Sequence, residues 1–95
     1  MDMSKDQLDK IEEYASALLH PCEIAILLGI PPRERKKFSV RCRNHDESPE
    51  YEAYHRGRLD TKLKLRKNIV KLAIAGSPAA EPLAEQFLQE QIMEK

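Results

Sequence analysis

The sequence predicts an all-α protein, and three observations support this class. Apolar residues recur at spacings of three and four along most of the 95 residues, and no segment has the pattern of a β-hairpin. Most prolines and glycines stand where a helix is expected to start or end. With three glycines and no tryptophan, a β-sandwich, a Rossmann unit and a glycine-rich phosphate loop are disfavoured. The architecture expected is a three-helix unit followed by a long helix and a C-terminal helix that form an antiparallel hairpin.

A histidine–proline pair separates the first two helices. We expect the first helix from Ser4 to Leu19, with Ser4 as its cap and acidic residues in its first turns. Its predicted buried stripe is Leu8, Ile11, Ala15, Leu18 and Leu19. His20-Pro21 ends this helix, and a short apolar helix follows from Cys22 to Leu28, with Gly29 as its terminator.

Of the remaining three helices, the third and fourth carry most of the positive charge. The third is expected from Pro32 to near Asn44, and the fourth from Pro49 to about Ala75, after a polar connection. Gly57 is the weak point of the fourth helix because glycine has a low helix propensity. The fifth ends near Met93, and its start is left open because Pro82 would interrupt a helix that began four residues earlier.

The formal net charge of zero conceals alternating charged blocks. Residues 31–43 hold six basic side chains against one acid, and residues 55–76 hold seven against one, while the segments between and around them are acidic. A polyanion responds to such local patches rather than to the total charge. The alternative is that these faces meet acidic faces of the same chain or of another subunit.

The segment Pro21–Arg43 has the plan of a helix-turn-helix: a short apolar helix, a glycine turn and a basic helix. Ala25 is small where the two helices cross, and Gly29 permits the positive φ that the turn requires. Ile30 is expected beneath the turn, and Phe38 anchors the basic helix to the core. Residues 1–45 are therefore the predicted DNA-binding unit, and residues 46–95 a helical region for oligomerisation.

The basic helix supplies the candidate DNA contacts. With Phe38 facing inward, Arg33, Lys36 and Arg43 point outward and Lys37 lies on the shoulder, where they can reach a major groove or phosphates. The full candidate set is Arg33, Arg35, Lys36, Lys37, Arg41 and Arg43, with Lys64, Lys67 and Lys71 as further backbone contacts. Arg35 falls on the inward face, where an aliphatic residue is usual. Either its charged end extends to the solvent-exposed rim of that face, or the third helix packs in a different orientation.

The order of motifs along residues 8–92 resembles the small subunit of bacteriophage terminases, in which a helix-turn-helix precedes a long helix with a Pro-Glu-aromatic start. The residues that carry the resemblance are Pro49, Glu50, Tyr51, Tyr54, Gly57, Leu72, Ala73, Gly76, Ser77 and Ala80. The resemblance implies a phage or prophage protein in the cytoplasm of a bacterial host cell. It would recognise viral double-stranded DNA for packaging, form a homo-oligomeric ring and hand the DNA to the large ATPase–nuclease subunit. The chain is short for that family, and Arg35 departs from its usual pattern.

The fourth helix favours self-assembly on independent grounds. Its apolar residues cover a wide arc that one further helix covers only in part: Leu59, Leu63, Leu65, Ile69, Val70, Leu72, Ala73 and Ile74. Arg66 lies within this arc, where a lone charge would be costly, so we expect it to pair with an acid such as Glu81 or Glu85, in the same chain or a neighbour. The alternative is a plain hairpin that packs on the first three helices without an oligomer.

Other site classes are disfavoured. His20, Cys22, Cys42 and His45 are possible zinc ligands, but the two pairs are expected at opposite ends of two crossing helices. Tyr51, Tyr54 and His55 form no set of nucleophile and base, and a Walker loop is missing, so neither an enzyme nor a cofactor is expected. No apolar run approaches the ~20 residues of a membrane span, and two cysteines suit a reducing cytoplasm.

Two rival functions remain open. A helix-turn-helix transcription regulator of a mobile element would be a dimer that binds two half-sites. A helical protein-interaction module would use its basic faces on acidic protein surfaces and would not touch nucleic acid.

Overall fold

The computed structural model describes residues 3–44 and 47–93, and every regular element within them is an α-helix. The five helices are α1 (Lys5–Ser16), α2 (Pro21–Leu27), α3 (Pro32–Asn44), α4 (Pro49–Ile74) and α5 (Glu81–Met93). The all-α prediction is confirmed. The start of α5, which the sequence left open, places Pro82 in the first turn, where its missing N–H costs no helical hydrogen bond.

The chain divides into two compact units, Met1–Thr61 and Lys62–Lys95. The division falls inside α4, so the first unit holds α1, α2, α3 and the first half of α4. The second unit holds the rest of α4 and α5. The sequence placed the boundary after residue 45, in the connection between α3 and α4 rather than within α4.

Three helices end in the same type of C-terminal turn, with one residue at positive φ. After α2, Gly29 has φ 76°, its N–H donates to the Ile26 carbonyl over 3.0 Å, and the Ile30 N–H donates to the Ala25 carbonyl over 3.0 Å. The predicted role of Gly29 is confirmed. The turn after α4 uses Gly76 in the same way, with φ 94°.

The end of α1 departs from the prediction. The helix stops at Ser16, and Leu18 adopts φ 64° in a turn that elsewhere in this chain uses glycine. Its side chain is 53% exposed, so its predicted place in the buried stripe is wrong. Leu8 and Leu19 pack against the core as partly buried residues, and Ile11 and Ala15 are fully buried.

One apolar core holds the first unit together and receives side chains from α1, α2, α3 and α4. Its buried members are Ile11, Ala15, Ile24, Ala25, Ile30, Phe38, Cys42, Ala53 and Tyr54. The predicted burial of Ala25, Ile30 and Phe38 is confirmed. The core therefore supports α3 from beneath and leaves its opposite side facing outward.

The crossing of α1 and α4 depends on Gly57. A Cβ at this position would overlap the backbone carbonyl oxygen of Glu12 and would lie 2.9 Å from the Cβ of Ala15. Nearby, the Thr61 hydroxyl donates to the Ser16 carbonyl. Gly57 is therefore a close-contact residue rather than merely a weak point in the helix.

The second unit is held by contacts between α4 and α5. Arg66 donates from Nη2 to Glu90 Oε2 over 2.7 Å, and its guanidinium lies 4.0 Å from the centroid of the Phe87 ring. The expectation that Arg66 pairs with an acid is met by Glu90 of the last helix, rather than by Glu81 or Glu85, the two examples named from the sequence. Glu90 lies nearer the C-terminal end of α5 than Glu81 and Glu85 do.

Candidate nucleic-acid interface

The outer face of α3 is a basic stripe with one apolar residue in it. Arg33, Lys36, Val40 and Arg43 follow at spacings of three, four and three, which places them on one side of a helix. All four are exposed, and Val40 is 38% exposed. Phe38 and Cys42, on the opposite side, are fully buried.

Four basic side chains of α3 have no bonding partner among the residues that the structure describes. Arg33, Lys36, Lys37 and Arg43 make no ion pair or side-chain hydrogen bond with any residue in the described ranges 3–44 and 47–93. Their charges are therefore available to a polyanion, and neighbouring cations on one short helix favour such a partner electrostatically.

Arg35, the residue that departs from the usual pattern, turns inward. Its Nε donates to the carbonyl of Ile30 over 2.9 Å, and the side chain is partly buried. This bond ties the first turn of α3 to the loop that follows α2. Arg35 is therefore held by the backbone at the start of α3, with its side chain only partly buried.

Arg41 is also turned toward its own chain. Its Nη2 donates to Oε2 of Glu50 over 3.2 Å, and the Glu50 side chain is only 1% exposed, against 24% for Arg41. The Ser48 hydroxyl donates to the Arg41 carbonyl over 3.3 Å and accepts from the Tyr51 N–H over 3.1 Å. These bonds connect the last turn of α3 to the first turn of α4, so Arg41 orients the stripe rather than extending it.

A cysteine and a histidine lie beneath this connection. Burial, followed by the nearby Glu50 charge, raises the pKa of the Cys42 thiol to about 12. Burial and the Arg58 charge lower the pKa of His55, and a hydrogen bond with the backbone of Cys42 acts in the opposite direction. The His55 ring also lies 4.1 Å from the Tyr51 ring and 5.1 Å from the Tyr54 ring, centroid to centroid. These groups pack the corner between α3 and α4.

The lysines of the second unit occupy a different place. Lys64, Lys67 and Lys71 are all exposed on α4, and Lys64 already has an interaction partner within the chain. They form a second basic surface, which belongs to the second unit.

Two features of the α3 surface escape sequence reasoning. Val40 lies in the middle of the basic stripe. Its helical spacing from Arg33 and Lys36, seven and four residues, predicts that it shares their face. The inward role of Arg41 gives no such signal, because it depends on where Glu50 lies in space.

Metal and membrane sites receive no support from the described ranges. In residues 3–44 and 47–93, no three His, Cys, Asp or Glu side chains are grouped so as to hold a metal ion, and His45 lies outside those ranges. Cys22 is exposed while Cys42 is buried. No helix of the described part combines the length and hydropathy that crossing a bilayer requires. Comparison with family models, curated proteins and solved structures found no match for this chain.

Proposed function

We propose that this protein binds double-stranded DNA, with α2 and α3 acting as a helix-turn-helix and the outer face of α3 lying against the major groove. The observation that carries the proposal is the group of four exposed basic side chains on α3 that no carboxylate of the described chain neutralises. A helix presented in this way by a buried core is the geometry by which such motifs reach base edges.

The residues of the stripe suit different contacts. Arg33 and Arg43 stand ten residues apart, which spans about 15 Å along a helix. Lys36 and Lys37 between them suit phosphate oxygens, and an arginine can also donate two hydrogen bonds to a guanine edge. Val40 offers a methyl surface to a thymine. Arg35 and Arg41 hold the two ends of α3 in place.

The more specific proposal is a role as the small subunit of a phage or prophage terminase, which binds viral DNA at the start of packaging. The support is the order of motifs given above and the exposed apolar surface of the second unit, which suits self-assembly. In that role the protein is a homo-oligomer in the bacterial cytoplasm and delivers DNA to a large ATPase–nuclease subunit.

The test of DNA binding is fluorescence anisotropy with a labelled duplex at low salt. The triple variant Arg33→Ala/Lys36→Ala/Lys37→Ala is expected to bind at least about 100-fold more weakly, because a lost base contact at Arg33 costs about 1–3 kcal/mol and each lost lysine removes a phosphate contact on which affinity at low salt depends. The control, Lys5→Ala/Lys10→Ala, removes two exposed lysines of α1 and should bind as the wild type. Equal affinity of the triple variant and the wild type would rule the interface out.

The mass of the free protein distinguishes the packaging role from a dimeric regulator. Light scattering of a packaging subunit should give a closed assembly of several 11.0 kDa chains, whereas a regulator with two half-sites should give two. A duplex that is not retained even at low salt would favour the protein-interaction module instead.

A further inference from the structure

The second unit leaves large apolar side chains uncovered on both of its helices. They are between 39% and 83% exposed: Leu63, Leu65, Val70, Leu72 and Ile74 on α4, and Leu83 and Leu88 on α5. Ala80 is the one hydrophobic residue of this unit that is buried among those whose side chains are described. Two helices alone cannot cover this surface, and apolar surface of this extent is typical of an interface.

On α4, a lysine edge borders part of this apolar surface. Arg66 marks the side of α4 that contacts α5. At about 100° per residue, Leu63, Val70 and Ile74 lie about 40–80° around the helix from Arg66. Lys67 and Lys71 lie further in the same direction, at about 100–140°. Both lysines are exposed and make no ion pair with a described residue.

On α5, two glutamates border a shallow apolar groove. Glu81, Glu85 and Leu88 line it together with Ala73, Pro78, Pro82 and Ala84. Both glutamates are exposed, and Arg66, the cation that the sequence assigned to them, binds Glu90 instead. The groove therefore keeps an acidic rim that no described side chain of the same molecule neutralises.

We propose that the groove on α5 receives α4 of a second copy of this chain, with Leu63, Val70 and Ile74 against the apolar floor and Lys67 and Lys71 against Glu81 and Glu85. In this pairing the apolar side chains of α4 cover the apolar groove, and the two lysines of α4 lie beside the two glutamates of α5. Packing α4 against α4 would instead bring the lysines of both copies together. Because each copy has both faces, the pairing is reciprocal or repeats around a ring. The inference specifies the self-assembly proposed above and is independent of DNA binding.

Charge reversal tests the pairing in the absence of DNA. Lys67→Glu/Lys71→Glu makes the face of α4 acidic like the groove of α5. Glu81→Lys/Glu85→Lys makes the groove of α5 basic like the face of α4. Each variant alone is expected to elute from size exclusion with light scattering as an 11.0 kDa monomer. An equal mixture of the two should restore the mass of the wild-type assembly, because each acidic face then finds a basic one.

The control is Lys5→Glu/Lys10→Glu, which makes the same change in net charge on α1 and should leave the mass unchanged. A monomeric wild type, a mixture that stays monomeric, or single variants that keep the wild-type mass would each overturn the pairing. If Lys67→Glu/Lys71→Glu keeps the assembly but loses affinity for duplex DNA, these lysines are DNA contacts and the proposal is wrong. Recovery in the mixture also demonstrates that both variants are folded.

Discussion

Gly57→Ala tests the packing of the first unit, because two effects oppose each other at this position. Helix propensity alone favours alanine by about 1 kcal/mol. In the folded chain, however, the added Cβ would overlap the Glu12 carbonyl oxygen, which belongs to backbone and cannot rotate away. Helices α1 and α4 must therefore separate, and overpacking of this kind costs about 1–3 kcal/mol.

We expect the steric cost to exceed the gain in propensity, because separating the helices also loosens the packing of Ala15 and Ile11. With a steric cost of about 3 kcal/mol, the upper end of that range, and a gain in helix propensity of about 1 kcal/mol, the free energy of unfolding falls by about 2 kcal/mol. For a domain of this size that lowers Tm by about 8–16 °C.

Urea unfolding followed by circular dichroism measures the difference. Asn68→Ala, at an exposed position of the same helix, is the matched control and should be neutral or slightly stabilising. If Gly57→Ala proves as stable as the wild type or more so, helix propensity decides the outcome, and the close crossing of α1 and α4 is refuted.

Three further predictions concern single residues. Leu18→Gly should raise the midpoint of urea unfolding slightly or leave it unchanged. The backbone of Leu18 has φ 64°, which is unfavourable for a residue with a side chain, and that side chain is half exposed and so contributes little packing. A clear loss would show that the side chain does contribute packing. Iodoacetamide at about pH 8 should modify Cys22 in the folded protein and Cys42 only after unfolding, because burial raises the pKa of Cys42 to about 12; mass spectrometry of peptides checks the site, and equal labelling contradicts it. The lowered pKa of His55 means that the unfolded chain binds a proton more readily, so its contribution to stability is complete above the ordinary pKa of 6.5 and is lost as the pH falls through its lowered value. Unfolding midpoints at several pH values should decline toward acid more steeply in the wild type than in His55→Gln, and parallel curves would contradict the assignment.

The parts of the fold that local sequence determines are predictable. Prolines gave the first residues of α3 and α4, and Gly76 gave the end of α4 nearly to the residue, because capping and backbone conformation act within a few residues. The burial of Ala25 and Phe38 was expected from the plan of a short apolar helix, a glycine turn and a second helix packed on it. By contrast, Leu18 occupies a position that glycine normally signals, so α1 appeared longer than it is.

The features that escaped prediction depend on tertiary contacts. Arg41 and Arg43 look alike in the sequence, and only the buried carboxylate of Glu50 separates a positioning residue from an exposed one. Arg66 was assigned to the wrong glutamates because the register between α4 and α5 is set by packing across the pair. The exposed stripe on α3 could be proposed from the sequence, but which of its cations are unengaged could not.

The salt dependence of DNA binding tests the proposed α3 interface most directly. The logarithm of the association constant should fall linearly with the logarithm of the salt concentration, with a slope of about −0.9 for each phosphate contact. The account predicts that Lys36→Ala/Lys37→Ala makes the slope shallower by about 2 and that Lys5→Ala/Lys10→Ala leaves it unchanged. A slope that is the same in all three proteins would contradict an interface on this face of α3.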